Sequence, residues 1–345
     1  VAFPLKKRIW ISALCLLGLA AVVLIVLNSR VFKRQDTWQA TELSIPVIST
    51  RDHFQDGKLS TGRSAYDYEL IDNPSSSSFW DDSAEDAIIV IHGFNNSAEK
   101  ASIKFNTAEL SLHACGYDGL IVGFSWDANT QKDPFGTTGY REGRSNAVAN
   151  GTKLASFIAD CRERKPGLRI HLIGYSMGAR IALESLLALD VDPDLAALDL
   201  QVDSVHLVGA AVDNDEVELR KRYGTAIERR TQWLYNYYSR EDNSLGMFYP
   251  LKEGDRALGE SGIEHRDRAP ANYRGIDIEA ELISYDRDGR PDAEPGDNHS
   301  GCLGNLAADG SLLDDGIMDV VVGQIEGQTG QSSAGALPES APDLP

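Results

Sequence analysis

Residues 169–189 read RIHLIGYSMGARIALESLLAL, with Ser176 at the centre of a G-x-S-x-G pattern. An apolar run precedes the motif and a helix-patterned run follows it, so the serine falls at a strand-to-helix turn. Such a turn holds a serine in strained backbone geometry with its hydroxyl exposed above a sheet, ready to attack a carbonyl. Gly174 and Gly178 suit that turn, because the strand and helix backbones approach too closely for side chains. A helix N-terminus beside Ser176 also favours developing negative charge. The same residues fit a serine that only caps a helix, so the motif needs partners elsewhere in the chain.

A nucleophilic serine requires two N–H donors for the oxyanion, a base, and an acid to orient the base. One donor is the residue after the nucleophile, Met177; the other comes from the loop after an earlier strand. VIHGFNN, residues 90–96, occupies that place, with the N–H of Phe94 as first candidate and that of Asn95 as second. His92 precedes the serine, whereas the expected order is serine, acid, histidine, so it reads as a residue hydrogen-bonded within its turn. Two later strand ends carry acids: Asp213 and Asp215 in GAAVDND, and Glu241 and Asp242 in NYYSREDNSLG.

VIHGFNN followed by HLIGYSMGAR resembles the α/β-hydrolase superfamily, and within it a lipase/esterase-like branch with HGFNN and H-S-M-G-type elbows. The likeness covers about residues 86–325 and is weak before them. It implies an α/β fold with a mainly parallel sheet, a Ser-acid-His triad, and no metal or organic cofactor. YSREDNSL resembles the family's acid loop, which matches Asp242 to the triad acid. Glu241 is the runner-up there and Asp213 the alternative location. Of the seven histidines, His53, His92, His113, His171 and His206 precede Asp242, which leaves His265 and His299. His265 comes before the last strand. His299 lies after it, in EPGDNHSGCLG, where a loop can carry the imidazole over the serine, and DNHSG resembles the family's histidine loop. At Tyr175 many relatives carry histidine.

The elements that must position these residues follow a regular alternation. Strand-like runs AIIVIHGF, GLIVGFSW, RIHLIG, VDSVHLVGAAV, TQWLYNYYS and RGIDIEAELISY alternate with helical stretches, which predicts a mostly parallel sheet covered on both faces. Ser97 reads as the N-cap of the helix after the first of these strands. NDEVELRKRYGTAIERR reads as a charged helix with too little apolar face for an interfacial lid, and SLLDDGIMDVVVGQI as a closing helix. Short strands, LSIPVIS and AYDYELI, occupy residues 36–85. The loop DANTQKDPFGTTGYREG and the segment from NSLGMFYPL to NYRG are expected to wall the site. Met247, Phe248 and Tyr249 either line an acyl pocket or cover the core. Residues 326–345 are rich in Gly, Ser, Ala and Pro and read as a disordered tail.

From Ile9 to Leu27 no residue is charged, long enough for a helix to cross a bilayer. With no small-residue cleavage site after it, the segment (about residues 9–28 of a 1–35 region) reads as an uncleaved anchor rather than a secretory signal. The expected orientation places the large domain outside the cytoplasm. The chain is acidic, with 33 Lys and Arg against 52 Asp and Glu and a formal net charge of -19. That argues against a nucleic-acid partner, which needs a basic face. The four cysteines show no CxxC spacing, so neither a disulfide framework nor a zinc cluster is indicated. The reading is therefore a membrane-anchored serine hydrolase acting on a small-molecule or lipid ester through Ser176, Asp242 and His299. An amidase, peptidase or thioesterase using the same triad, and a non-catalytic binding module of the same fold, are the alternatives.

Overall fold

The computed structural model describes residues 44–72, 78–130, 137–279, 281 and 299–333. The expected anchor at residues 9–28 lies outside the described residues. Among the described residues, no helix is long and apolar enough to cross a membrane.

β-branched and aliphatic runs form the strands that the alternation predicts: β5 (Asp86–Ile91), β6 (Leu120–Ser125), β7 (Arg169–Tyr175), β8 (Val202–Val208), β9 (Thr231–Tyr238) and β10 (Tyr273–Asp277). Together with β1 (Val47–Ser49) and β4 (Glu69–Ile71) they build an eight-stranded sheet, in the order β10-β9-β8-β7-β5-β6-β1-β4. Only β4, at one edge, runs antiparallel to its neighbour. A small hairpin, β2 (Phe54–Gln55) with β3 (Lys58–Leu59), stands apart.

Side chains alternate between the faces of the sheet, as the period of two requires. Ile88 and Val90 enter a core with Phe105, Ala108 and Leu112 of α1 (Ala98–Ala114) and with Val321, Val322 and Ile325 of α8 (Met318–Ser333). Ala87, Ile89 and Ile91 enter the opposite core, with α2 (Thr137–Arg164) and α3 (Gly178–Val191). The Ser97 side chain accepts from the N–H of Lys100 and caps α1 as expected. Short helices α4 (Pro193–Ala196), α5 (Gly224–Arg230), α6 (Tyr249–Glu253) and α7 (Leu258–Ser261) fill the connections.

Two expected helices are redrawn. The chain from Asp213 to Tyr223 is a series of tight turns, and only Gly224–Arg230 is helical. Arg220 sits at φ +68°, and Glu216 and Tyr223 are drawn inward to the buried Arg180, so tertiary pairing overrides the helix propensity of the run. Near the C-terminus, Leu312–Asp314 forms β12 and pairs with β11 (Asn305–Leu306). Gly316, at φ +65°, turns the chain into α8, which starts at Met318. That helix runs on to Ser333, past the point where the composition predicts a disordered tail.

The topology locates the functional edge. The chain leaves β5 toward β6 on one side, and returns with β7 on the other side of β5. A crevice opens outside the carboxyl ends of strands at such a switch point. Ile91 pairs with Phe124 on β6 and with Gly174 on β7, so the HGFNN loop and the GYSMG turn leave the sheet at the same level.

Candidate active site

Ser176 follows the last residue of β7 and has φ +55°, a left-handed conformation that a non-glycine residue adopts only under local constraint. The constraint is close packing. A Cβ on Gly178 would lie 2.3 Å from the carbonyl oxygen of Ile91, and one on Gly174 2.6 Å from the Cα of Ala179. The Ser176 N–H donates to the carbonyl of Val208, and its carbonyl accepts from Ala179 and Ala211, which bolts the turn to β8 and to α3. The capping alternative fails here, because Met177 is the N-cap of α3 and makes no side-chain cap bond. The Ser176 hydroxyl is instead 2.9 Å from Nε2 of His299.

His299 places Nδ1 2.7 Å from Oδ2 of Asp242. Asp242 follows β9 and is 3% exposed. Its second oxygen accepts from the N–H of Leu245 at 2.8 Å, so both oxygens are committed and the carboxylate cannot swing. Gly209, at φ +53°, lies under the imidazole, where an added Cβ would come 3.1 Å from Nδ1. The alternatives are elsewhere: Asp213 accepts from the Tyr249 hydroxyl at 2.7 Å, Glu241 is exposed, and His265 bonds the buried Glu218. Tyr175, whose type carried no meaning in the sequence, donates its hydroxyl to the carbonyl of His299 at 3.0 Å. Lys104 donates to the next carbonyl, that of Ser300, at 3.2 Å. The histidine loop is thus held to β7 and to α1 at two successive residues.

On the other side of the serine, Gly93 packs so closely that a Cβ there would lie 2.9 Å from the Ser176 Cβ. Phe94 and Met177, the two expected N–H donors, both line the cleft beside Ser176. The N–H of Asn95 donates to the carbonyl of Ala128 at 2.9 Å, which removes it as a donor to the cleft. His92 is buried, stacked on Trp126 and bonded within its turn, as its place before the serine requires.

The cleft, about 790 Å³ including its open mouth, has walls of Phe94, Tyr140, Leu245, Phe248 and Tyr249, with Lys252 at its side. Tyr140 belongs to the Gly-rich segment and the others mostly to NSLGMFYPL, as expected. Met247 differs, being 44% exposed and outside the lining. The wall is stiffened from beneath by Arg180 of α3, whose Nη2 reaches the Tyr249 hydroxyl at 3.4 Å. Burial opposes the guanidinium charge, but Tyr223, Glu216 and Tyr249 around it outweigh this and hold its pKa well above the usual value. Nothing in the local sequence signals this arginine, because its partners come from segments more than 35 residues away. One group of ligand-type side chains converges among the described residues, Glu218 with Glu264 and His265. Arg268 lies 3.5 Å from Glu218 and supplies positive charge there.

A mostly parallel sheet with helices on both faces and a serine on a strained strand-to-helix turn defines the α/β-hydrolase class. The chain belongs to a family of α/β hydrolases of unknown function (DUF900), whose model matches residues 76–286. It is 25% identical over 170 residues to an uncharacterized protein of Nostoc sp., a match covering 42% of this chain and 43% of that protein. The chain therefore spans about two-fifths of the length of this curated relative. Among solved structures, it is similar to the catalytic core domain of acetyl xylan esterase from Trichoderma reesei, with TM-score 0.32, 11% identity, and 57% of this chain and 84% of that chain covered. It is also similar to a cutinase-like protein from Cryptococcus sp., with TM-score 0.30, 16% identity, and 68% and 90% covered.

Proposed function

We propose that this protein is a serine hydrolase acting on carboxylic esters. The Ser176 Oγ attacks the carbonyl carbon while Nε2 of His299 takes the hydroxyl proton. Asp242 holds the Nδ1–H and stabilises the imidazolium. The carbonyl π electrons move onto oxygen, which the N–H groups of Met177 and Phe94 receive. The intermediate collapses, and the leaving alkoxide takes the proton from His299. Water then attacks the acyl carbon as His299 takes its proton; the bond from that carbon to Ser176 Oγ breaks, His299 returns the proton to Oγ, and the acid leaves.

The observation that carries this reading is the unbroken chain of Ser176, His299 and Asp242, with contacts of 2.9 and 2.7 Å, at the floor of an aromatic cleft. The aromatic wall favours an acyl group of modest size. We further propose that residues 9–28 anchor the enzyme to a membrane with this domain on the extracytoplasmic side.

Labelling with a fluorophosphonate tests the chemistry. Label is expected on Ser176, and none in the Ser176→Ala variant. A folded protein that takes no label would sink the enzyme reading. A panel of esters, thioesters and amides of graded acyl length then tests the class, with esters expected to turn over fastest.

A further inference from the structure

We infer that Asn96 is a positioning residue that aims the oxyanion donor of Phe94, through the carbonyl of Gly93. This rests on the serine-hydrolase reading above.

The carbonyl of Gly93 and the N–H of Phe94 belong to the same trans peptide, so they point in opposite directions. Whatever holds that carbonyl therefore sets the direction of that N–H. Two side chains hold it: Nδ2 of Asn96 donates to Gly93 O at 2.9 Å, and Nδ1 of His92 lies 2.9 Å from the same oxygen. The same Asn96 amide reaches the carbonyl of Phe94 at 3.2 Å, so it holds the donor peptide and also the one that follows it.

The proton assignments are fixed by the neighbours. His92 Nε2 faces the N–H of Trp126 and the guanidinium of Arg51, both at 3.2 Å and both donors. That leaves Nδ1 as the protonated nitrogen that donates to Gly93. Burial and the charge of Arg51 keep the ring neutral. Turning the Asn96 amide over would put its oxygen against two carbonyls, so the nitrogen must face them. Asn96 is 2% exposed, and its Oδ1 is buried without a partner among the described residues. The amide is thus held on its donor side alone.

The backbone leaves no other way to fix the plane. Gly93 must stay without a Cβ because Ser176 lies against it, and glycine is the least restrained residue. Asn95, at φ +60° with its N–H on Ala128, turns the chain so that the Asn96 side chain comes back over the peptide it follows. Every residue of HGFNN is thereby accounted for physically. His92 and Asn96 grip, Gly93 yields space, Phe94 donates, and Asn95 turns.

The test compares a p-nitrophenyl ester with the matching thionoester in the unaltered protein, in Asn96→Leu and in the smaller Asn96→Ala. Sulfur accepts hydrogen bonds poorly, so a well-aimed oxyanion hole favours the ester. We expect kcat on the ester to fall about 10- to 100-fold in both variants, part of the loss seen when a donor is removed outright. KM should change little, the pH profile of kcat should keep its shape, and the ester-to-thionoester ratio should fall toward one. The inference is overturned if both variants, shown folded by near-ultraviolet circular dichroism, keep the wild-type ratio, whether the rates are unchanged or fall equally on both substrates. If the unaltered protein neither hydrolyses esters nor takes fluorophosphonate on Ser176, the underlying reading falls and this inference with it. An active wild type beside variants with an unchanged ratio sinks the inference alone.

Discussion

Among the described residues, two hydrogen-bonded chains link aspartate, histidine and serine. One is Asp242–His299–Ser176, at the carboxyl ends of the strands. The other lies within the sheet: Asp86 is 3.4 Å from His171, His171 is 2.7 Å from Ser204, and Ser204 is 2.8 Å from His206, which reaches the Tyr237 hydroxyl at 2.9 Å. By residue type the two are alike, and their histidine-to-serine contacts, 2.9 and 2.7 Å, are close, although Asp86 stands farther from its histidine than Asp242 does. They differ in what surrounds the serine. Ser204 is 0% exposed, lies mid-strand, and spends its hydroxyl between two imidazoles. Ser176 sits on a strained turn at the start of a helix, with Gly93, Phe94 and Met177 around it and a cleft above. Hydrogen-bond distance alone therefore does not make a triad. On the function proposed above, access for a carbonyl carbon and donors aimed at its oxygen separate the Ser176 chain from one that satisfies buried polar groups.

The contrast can be broken by experiment. Ser176→Ala or His299→Ala should each lower kcat on an activated ester about 10⁴-fold or more, with little loss of stability. Asp242→Ala should cost somewhat less, while Glu241→Gln and Asp213→Asn stay far nearer wild type in the same assay. Comparable losses at Glu241 would reassign the acid. Ser204→Ala should show the reverse pattern: full fluorophosphonate labelling, but about 1–3 kcal/mol less stability in urea titrations, because two buried imidazoles lose a partner. If Ser204→Ala removes activity while stability holds, the division between the two chains is wrong.

Acid should weaken the fold through the interior ring. Burial, with the nearby His171, holds the pKa of His206 well below the imidazole value of 6.5, and burial with Arg51 does the same for His92. Below that value the unfolded chain takes up protons that the folded chain refuses. Stability is therefore full above about pH 6.5 and falls as pH drops, by up to about 1.4 kcal/mol per pH unit for each of the two. Asp86 adds to the acid loss only at lower pH. Burial opposes its charge, but His171 and Arg169 outweigh this and hold its carboxyl at about 2. Its contribution is thus lost as pH falls from about 4 toward that value. A urea midpoint that stays flat from pH 7 to 5 would contradict the buried, neutral state of these rings. The smallest effect belongs to Tyr175→Phe, which removes one bond to the histidine loop. About 1 kcal/mol, or roughly fivefold in kcat with KM unchanged, is expected.

Legibility in the sequence followed backbone constraint. Gly174, Ser176 and Gly178 could be read because a crowded turn demands glycine, and the surrounding strand and helix patterns mark its place. Phe94 could be ranked above Asn95, but their separation came from the Ala128 carbonyl, which lies in another loop. Met247 and Phe248 are adjacent, and only packing sent one to the surface and the other to the cleft wall. The run from Asn214 to Arg230 carries strong helix formers, yet most of it is turn, because Arg180 draws it inward and Gly224 lets it fold back on Glu218.

What the amino-acid sequence by itself determined is the alternation of buried strands and helices, the strand-to-helix turn at Ser176, and the order in which Asp242 and His299 follow it. These depend on local periodicity and on steric limits that act between near neighbours. The tertiary structure alone decided which of two similar aspartate-histidine-serine chains faces a cleft, that the Asn95 N–H is tied to the Ala128 carbonyl, and that Tyr175 holds the histidine loop. Those choices are contacts between segments up to 124 residues apart, and the energy of a hydrogen bond or a close approach carries no trace in the local pattern of either partner.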